Sequence, residues 1–181
     1  MSKIGMKPIA VENVKVEVAG RTVSFEGPNN KGTHEIHDSL VVSLEEGFLK
    51  ITMRNPKDKN KKNKAQWGLH RALLANKLSG AREDFKKEVK IVGLGYKGQL
   101  QGDKIIFSLG YSHKIDFKVP ADVKVEIDKS GQNVTVKSYD KHLAGFVADK
   151  ICALRRPEPY KGTGVFLADK PIIRKAGKSK G

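Results

Sequence analysis

Few local patterns in this 181-residue chain carry the residue types that do chemistry. Gly93-Leu94-Gly95-Tyr96-Lys97-Gly98 spells a G-x-G-x-x-G run, which cradles a pyrophosphate when it lies between a strand and a helix N-terminus. A turn at Gly102-Asp103 and a further strand follow instead. The glycines therefore read as a bulge or a relief of crowding within a strand. His34, His37 and Asp38 have the spacing of ligands on a helix, but the stretch reads as a hairpin and no further ligand cluster accompanies it. Ser112-His113 has no oriented acid or oxyanion motif to complete a triad. His70 and His142 fall on helical stretches, at the core edge or surface. Cys152, the single cysteine, lies beside an apolar stripe and reads as a small packed residue. Neither a P-loop nor an H-E-x-x-H motif is present. The expectation is a protein that is not an enzyme and takes no cofactor, metal or small-molecule substrate.

The remaining pattern is basic. Residues 154–164 read Leu-Arg-Arg-Pro-Glu-Pro-Tyr-Lys-Gly-Thr-Gly. Pro157 stops the preceding helix, and with Pro159 it stiffens an extended arm that loses little entropy on docking. Arg155, Arg156 and Lys161 are suited to phosphate, Arg adding bidentate geometry. Tyr160 can stack on a base or ribose. Gly162 and Gly164 lack a Cβ, which would let backbone N–H groups approach a phosphate. Arg174, Lys175, Lys178 and Lys180 form a basic tail expected to order only on a polyanion.

Charge placement sharpens this reading. The net charge is +15, and such an excess repels itself unless an anionic partner neutralises it. Residues 54–64 contribute +5 and residues 155–181 contribute +6, so two short segments hold 11 of the 15 excess charges. The bodies between them are nearly balanced, as in a folded scaffold bearing two basic appendages. The first segment contains Lys57, Lys59, Lys61, Lys62 and Lys64. Two roles are open to this loop: RNA binding, or a solvated surface beside the first helix. The opening residues lack the apolar run of a secretory signal, and no stretch approaches a membrane span. The expected compartment is the cytosol, with no membrane partner.

The elements that position these residues come in two similar sets. Valines 14, 16 and 18 alternate with polar residues, as do Ile105-Phe107-Leu109, Ile115-Phe117-Val119, Val123-Val125-Ile127 and Val134-Val136. Period-two alternation means sheets with one wet face. Residues 65–78, with Leu69, Leu73 and Leu74 on one face, read as a helix. Residues 140–154 read as another, with Leu143, Val147, Ile151 and Leu154 as its stripe and Asp140 as N-cap. Residues 41–52 match 123–136, and Ala75-Asn76-Lys77 matches Ala148-Asp149-Lys150. The spacing differs by ten residues, about the length of the basic insert after Met53. The expected fold is α+β: two tandem duplicated two-layer domains, each an antiparallel sheet with one main helix, plus a basic C-terminal extension. Their boundaries are 1–82 and 83–154, with the extension at 155–181.

Pro157-Glu158-Pro159-Tyr160-Lys161-Gly162-Thr163-Gly164 resembles the signature of the bacterial large-subunit (50S) ribosomal protein number six. The opening Ser2-Lys3-Ile4-Gly5, Val92-Gly93-Leu94-Gly95-Tyr96 and Arg174-Lys175-Ala176-Gly177-Lys178 are similar to that family in the same order. Arg156 and Thr163 depart from its usual proline and lysine. The resemblance implies a structural constituent of the large subunit. Its C-terminal domain and tail would bind 23S ribosomal RNA near the base of the lateral stalk, where translation GTPases dock. Neighbouring large-subunit ribosomal proteins and translation GTPases are the implied protein partners. The rival reading is a protein-interaction module that docks translation factors, with RNA only as anchor.

Overall fold

The computed structural model describes residues 3–45, 47–55, 60–170 and 172–177. They fall into two compact units, Met1–Asp84 and Phe85–Gly181.

In the first unit, the short strand β1 (Ile9–Ala10) precedes a meander of β2 (Lys15–Ala19), β3 (Thr22–Glu26) and β4 (Lys31–Glu35). The hairpin of β5 (Leu40–Glu45) and β6 (Phe48–Met53) follows, then helix α1 (Lys61–Arg82). The meander is one antiparallel sheet and β1-β6-β5 is a second. Their apolar faces meet α1 in one core, where Val23, Phe25, Leu49 and Ile51 pack with Trp67, Leu74, Leu78 and Ala81. Each large side chain so buried contributes roughly 1.5–3 kcal/mol. The Trp67 indole Nε1–H donates to the Ile51 carbonyl at 2.6 Å, which satisfies the one polar group that the ring takes inside.

Helix α1 differs from the sequence expectation in two ways. It starts at Lys61, with the Asn60 side chain accepting from the Lys62 N–H at 3.0 Å. Its buried stripe runs through Trp67, Leu74 and Leu78, while Leu69 and Leu73 are 49% and 41% exposed. Leucines occupy two sides of this helix. Leu69 lies about 200° around the axis from Trp67, and the indole takes the core side.

The second unit repeats the plan. Strand β7 (Phe85–Val92) precedes a meander of β8 (Lys97–Gln101), β9 (Lys104–Ser108) and β10 (Ile115–Lys118). The hairpin of β11 (Lys124–Ile127) and β12 (Asn133–Ser138) leads to helix α2 (Lys141–Leu154), and strand β13 (Gly164–Leu167) closes the unit. The order β11-β12-β7 has the topology of β5-β6-β1, and β13 is an addition on the far edge of β7. Val134 faces Val89, and Val165 faces Ile91. These side chains are buried with Ala144, Val147, Ala148 and Ile151 of α2. Asp140 caps α2 as its type predicts, accepting from the His142 N–H at 2.9 Å.

The α+β fold of two tandem units, each of antiparallel strands with one main helix, holds, and the strands of each unit divide into two sheets. In the glycine-rich run, residues 93–96 form the turn between β7 and β8, with Gly95 at φ 73°, rather than a bulge, while Gly98 lies in β8, where a Cβ would stand 3.0 Å from the Phe107 ring, the relief of crowding expected. The segment 155–181 is not wholly an appendage, because β13 is a strand of the second unit's sheet.

Candidate nucleic-acid interface

The basic segment after α2 is a closed loop, not an extended arm. The Glu158 N–H donates to the Thr163 carbonyl and the Gly162 N–H to the Glu158 carbonyl, both at 2.9 Å. The Thr163 hydroxyl donates to the Glu158 carboxylate at 3.2 Å. At the loop's base, the Val165 N–H donates to the Arg155 carbonyl at 2.8 Å. Strand β13 then carries the chain away along β7, and Lys87 pairs with Asp169 at 2.6 Å just beyond it. That contact holds the Asp169 carboxyl below its ordinary pKa, chiefly through the Lys87 hydrogen bond.

The two glycines serve this closure. Gly164 has φ 147°, and a Cβ there would lie 2.6 Å from Pro157 Cα and 2.8 Å from the Arg156 carbonyl oxygen. Backbone meets backbone at that point, so nothing can give way. Gly162 sits at φ 71° with its N–H already committed to Glu158. The expected role of Gly162 as an open N–H for phosphate is therefore corrected: it is a turn-former, and it is buried.

The loop leaves a cluster of side chains in solvent. Tyr160 is 55% exposed, and Arg156 and Lys161 are exposed beside it. The tail returns to the loop, with the Lys175 N–H donating to the Pro159 carbonyl at 2.9 Å. The Arg174 guanidinium reaches Gly162, its Nε 2.8 Å from where a Cβ would stand there. Arg174 and Lys175 thus lie against the loop. Lys178 and Lys180 lie outside the described residues.

Arg155 behaves differently from its neighbour. Its Nη1 donates to the Leu109 carbonyl at 2.6 Å, and its guanidinium carbon lies 5.1 Å from the Tyr96 ring centre and 4.8 Å from that of Tyr111. These are cation–π distances. The expected phosphate ligand is a brace that ties the end of α2 to two loops. Sequence could not separate Arg155 from Arg156, because both are arginines at a helix end.

In the first basic segment, Lys61, Lys62 and Lys64 belong to the first turns of α1 rather than to a loop, and Lys57 and Lys59 lie outside the described residues. No acidic residue stands in that first turn. Cations there oppose the positive end of the helix dipole.

The histidines gather where the sequence kept them apart. His34 Nε2 lies 3.2 Å from His70 Nδ1, and the His37 ring centre is 6.4 Å from that of His70. Burial first, then Lys77 and His70, lowers the His34 pKa to about 4. Burial and His37 lower that of His70. Among the described residues no group of three or more His, Cys, Asp or Glu could hold a metal ion. Cys152 is half-buried, and burial pushes its thiol up to about 11, which fits a packed residue. Among the described residues no helix is long and apolar enough to cross a membrane.

The model of the family described as "Ribosomal protein L6" matches this chain twice, over residues 12–84 and 92–166. The chain belongs to the ribosomal protein L6 family. Each match spans one meander, one hairpin and one helix, β2-to-α1 and β8-to-α2, the second running on into β13, and the tandem duplication read from the sequence holds. The chain is 41% identical to "Large ribosomal subunit protein uL6" of Cereibacter sphaeroides over 181 residues, covering 99% of this chain and all of that one. It is 41% identical, with the same coverage, to the protein of that name from Bartonella henselae. It is 38% identical to that from Natranaerobius thermophilus over 180 residues, 99% of each. The family is structural, and this member is not an enzyme.

Proposed function

We propose that this protein is a structural constituent of the large ribosomal subunit that grips 23S ribosomal RNA with the loop after α2. Arg156, Lys161, Arg174 and Lys175 contact phosphates, and Tyr160 stacks or bonds at the same surface. One observation carries the reading: a loop fixed by its own hydrogen bonds leaves Arg156, Tyr160 and Lys161 in solvent, and the tail folds back to set the exposed Arg174 and Lys175 beside them. A preformed loop loses little freedom on docking, and phosphate contacts supply most of the affinity while shape sets the register. Lys178 and Lys180 extend the grip, and Arg155 supports it from within. The protein works in the cytoplasm, on the ribosome. The grip sits near the base of the lateral stalk, beside the docking region of translation GTPases, a reading that the family resemblance supports.

Replacing Arg156, Lys161, Arg174 and Lys175 together with Ala tests this. Binding to large-subunit RNA should weaken, and the salt dependence should flatten by about three in log–log slope. An unchanged slope removes these residues from the interface.

The first unit favours a protein partner. Val41 and Phe48, 43% and 46% exposed, lie on the open face of β1-β6-β5. Neighbouring ribosomal proteins or a docked translation factor suit such a face. Loss of factor-dependent turnover on changing Phe48 to Ser, with RNA binding intact, supports this second role.

A further inference from the structure

We propose that His113 is the outer step of a stacking platform for one unpaired RNA base; the proposal rests on the RNA-binding reading above and names a subsite within it. The platform begins inside the second unit. The Arg155 guanidinium lies over the rings of both Tyr96 and Tyr111. The Tyr111 hydroxyl donates to the Leu154 carbonyl at 3.2 Å, which fixes the plane of its ring. His113 stacks on Tyr111 with ring centres 6.0 Å apart and planes 22° from parallel. Both outer rings face solvent, Tyr111 being 46% exposed and His113 exposed as well. Among the described residues the His113 ring nitrogens have no hydrogen-bond partner.

Two ordered, exposed, stacked rings are costly to keep. Fixing side chains loses rotamer entropy, and ring faces left in water gain nothing from burial. A further planar group landing on His113 recovers that loss. Proteins that read RNA stack splayed-out bases on aromatic, histidine and arginine planes, and stacking accepts any base because every base has a π-face. Lys114 follows His113 and is exposed, in reach of the phosphate of a base so held. The platform also shares an anchor with the proposed grip. Arg155 supports Tyr111 with its side chain and receives the Val165 N–H at the base of the 158–163 loop with its carbonyl. Phosphate contacts and base stacking would then be set by one residue.

The test uses the full chain and purified large-subunit ribosomal RNA. Wild-type binding to that RNA is the control for the underlying reading; if it fails, the grip itself is wrong. Given wild-type binding, His113→Ala should weaken affinity on the order of tenfold with an unchanged salt slope. His113→Phe should restore most of it. Chemical probing should show one unpaired base protected by wild type and by His113→Phe, and reactive again with His113→Ala. Wild-type affinity and protection in His113→Ala overturn the proposal. So does a slope reduced by about one, which marks His113 as a phosphate ligand. Equal loss in the Phe variant overturns it too, because it assigns the effect to a ring nitrogen. Normal RNA binding with lost factor-dependent GTP hydrolysis would make the platform a protein-docking point and ends the base assignment.

Discussion

Lys61, Lys62 and Lys64 stand on the first turns of α1, whereas Arg156, Lys161, Arg174 and Lys175 surround a hydrogen-bonded loop after α2. The two segments contribute nearly equal excess charge, +5 and +6. The first set stands at a helix end whose dipole repels the lysines. Around the second, Glu158, Thr163, Gly162 and Gly164 build a fixed frame, and Arg155 braces it from behind. Charge alone provides long-range attraction that salt screens. A rigid frame adds a register that diffuse charge lacks, and this is why the proposed grip is assigned to the second segment.

Substitutions in each frame sharpen the contrast. The largest effect is expected from Gly164→Ala, which sets a Cβ against the Pro157 backbone. It should destabilise the second unit by about 3 kcal/mol in urea melts. Gly162→Ala meets only the flexible end of Arg174 and should cost about half as much.

The histidine cluster of the first unit comes next. Unfolded His34 takes a proton near 6.5, while the folded residue resists until about 4. The unfolded state thus binds more protons in that window. Stability is complete above the window and falls as pH drops through it, by up to about 2 kcal/mol. His34→Gln should flatten that part of the pH–stability curve, as read from urea midpoints at matched pH.

Arg155→Ala should lower stability by about 1–2 kcal/mol through loss of the Leu109 hydrogen bond and two ring contacts. Arg156→Ala, at the exposed neighbour, should stay within about 0.5 kcal/mol. Equal effects would erase the distinction between brace and grip. The smallest effect belongs to the lysine cluster. Lys61→Glu should raise stability by about 0.5 kcal/mol at low salt, because an acid suits the start of a helix, and added salt should remove the gain.

The sequence carried some of this plainly. Asp140 is an N-cap by type and position, and the alternation in β9 and β12 marks their inner faces. Strand β4, Lys-Gly-Thr-His-Glu, has no apolar alternation to read, and its inward residue is His34. The lysines of α1 looked like loop because they are charged, although lysine is a good helix former. Within the candidate interface, which residues are cationic was legible. The closure of the loop was not, since it depends on hydrogen bonds between backbone groups that every residue has. Nor could spacing show that Tyr96, Tyr111 and Arg155 meet, because they come from three separate connections.

Strand β13 has a temporal consequence. Its partner β7 opens the second unit, while β13 comes only after α2. During synthesis the first unit can fold as soon as it emerges, since domains fold in order from the N-terminus. The second unit's β11-β12-β7 sheet must wait with one flank unzipped until β13 has been made. Only a chain that extends past β13 can then close that edge of the sheet.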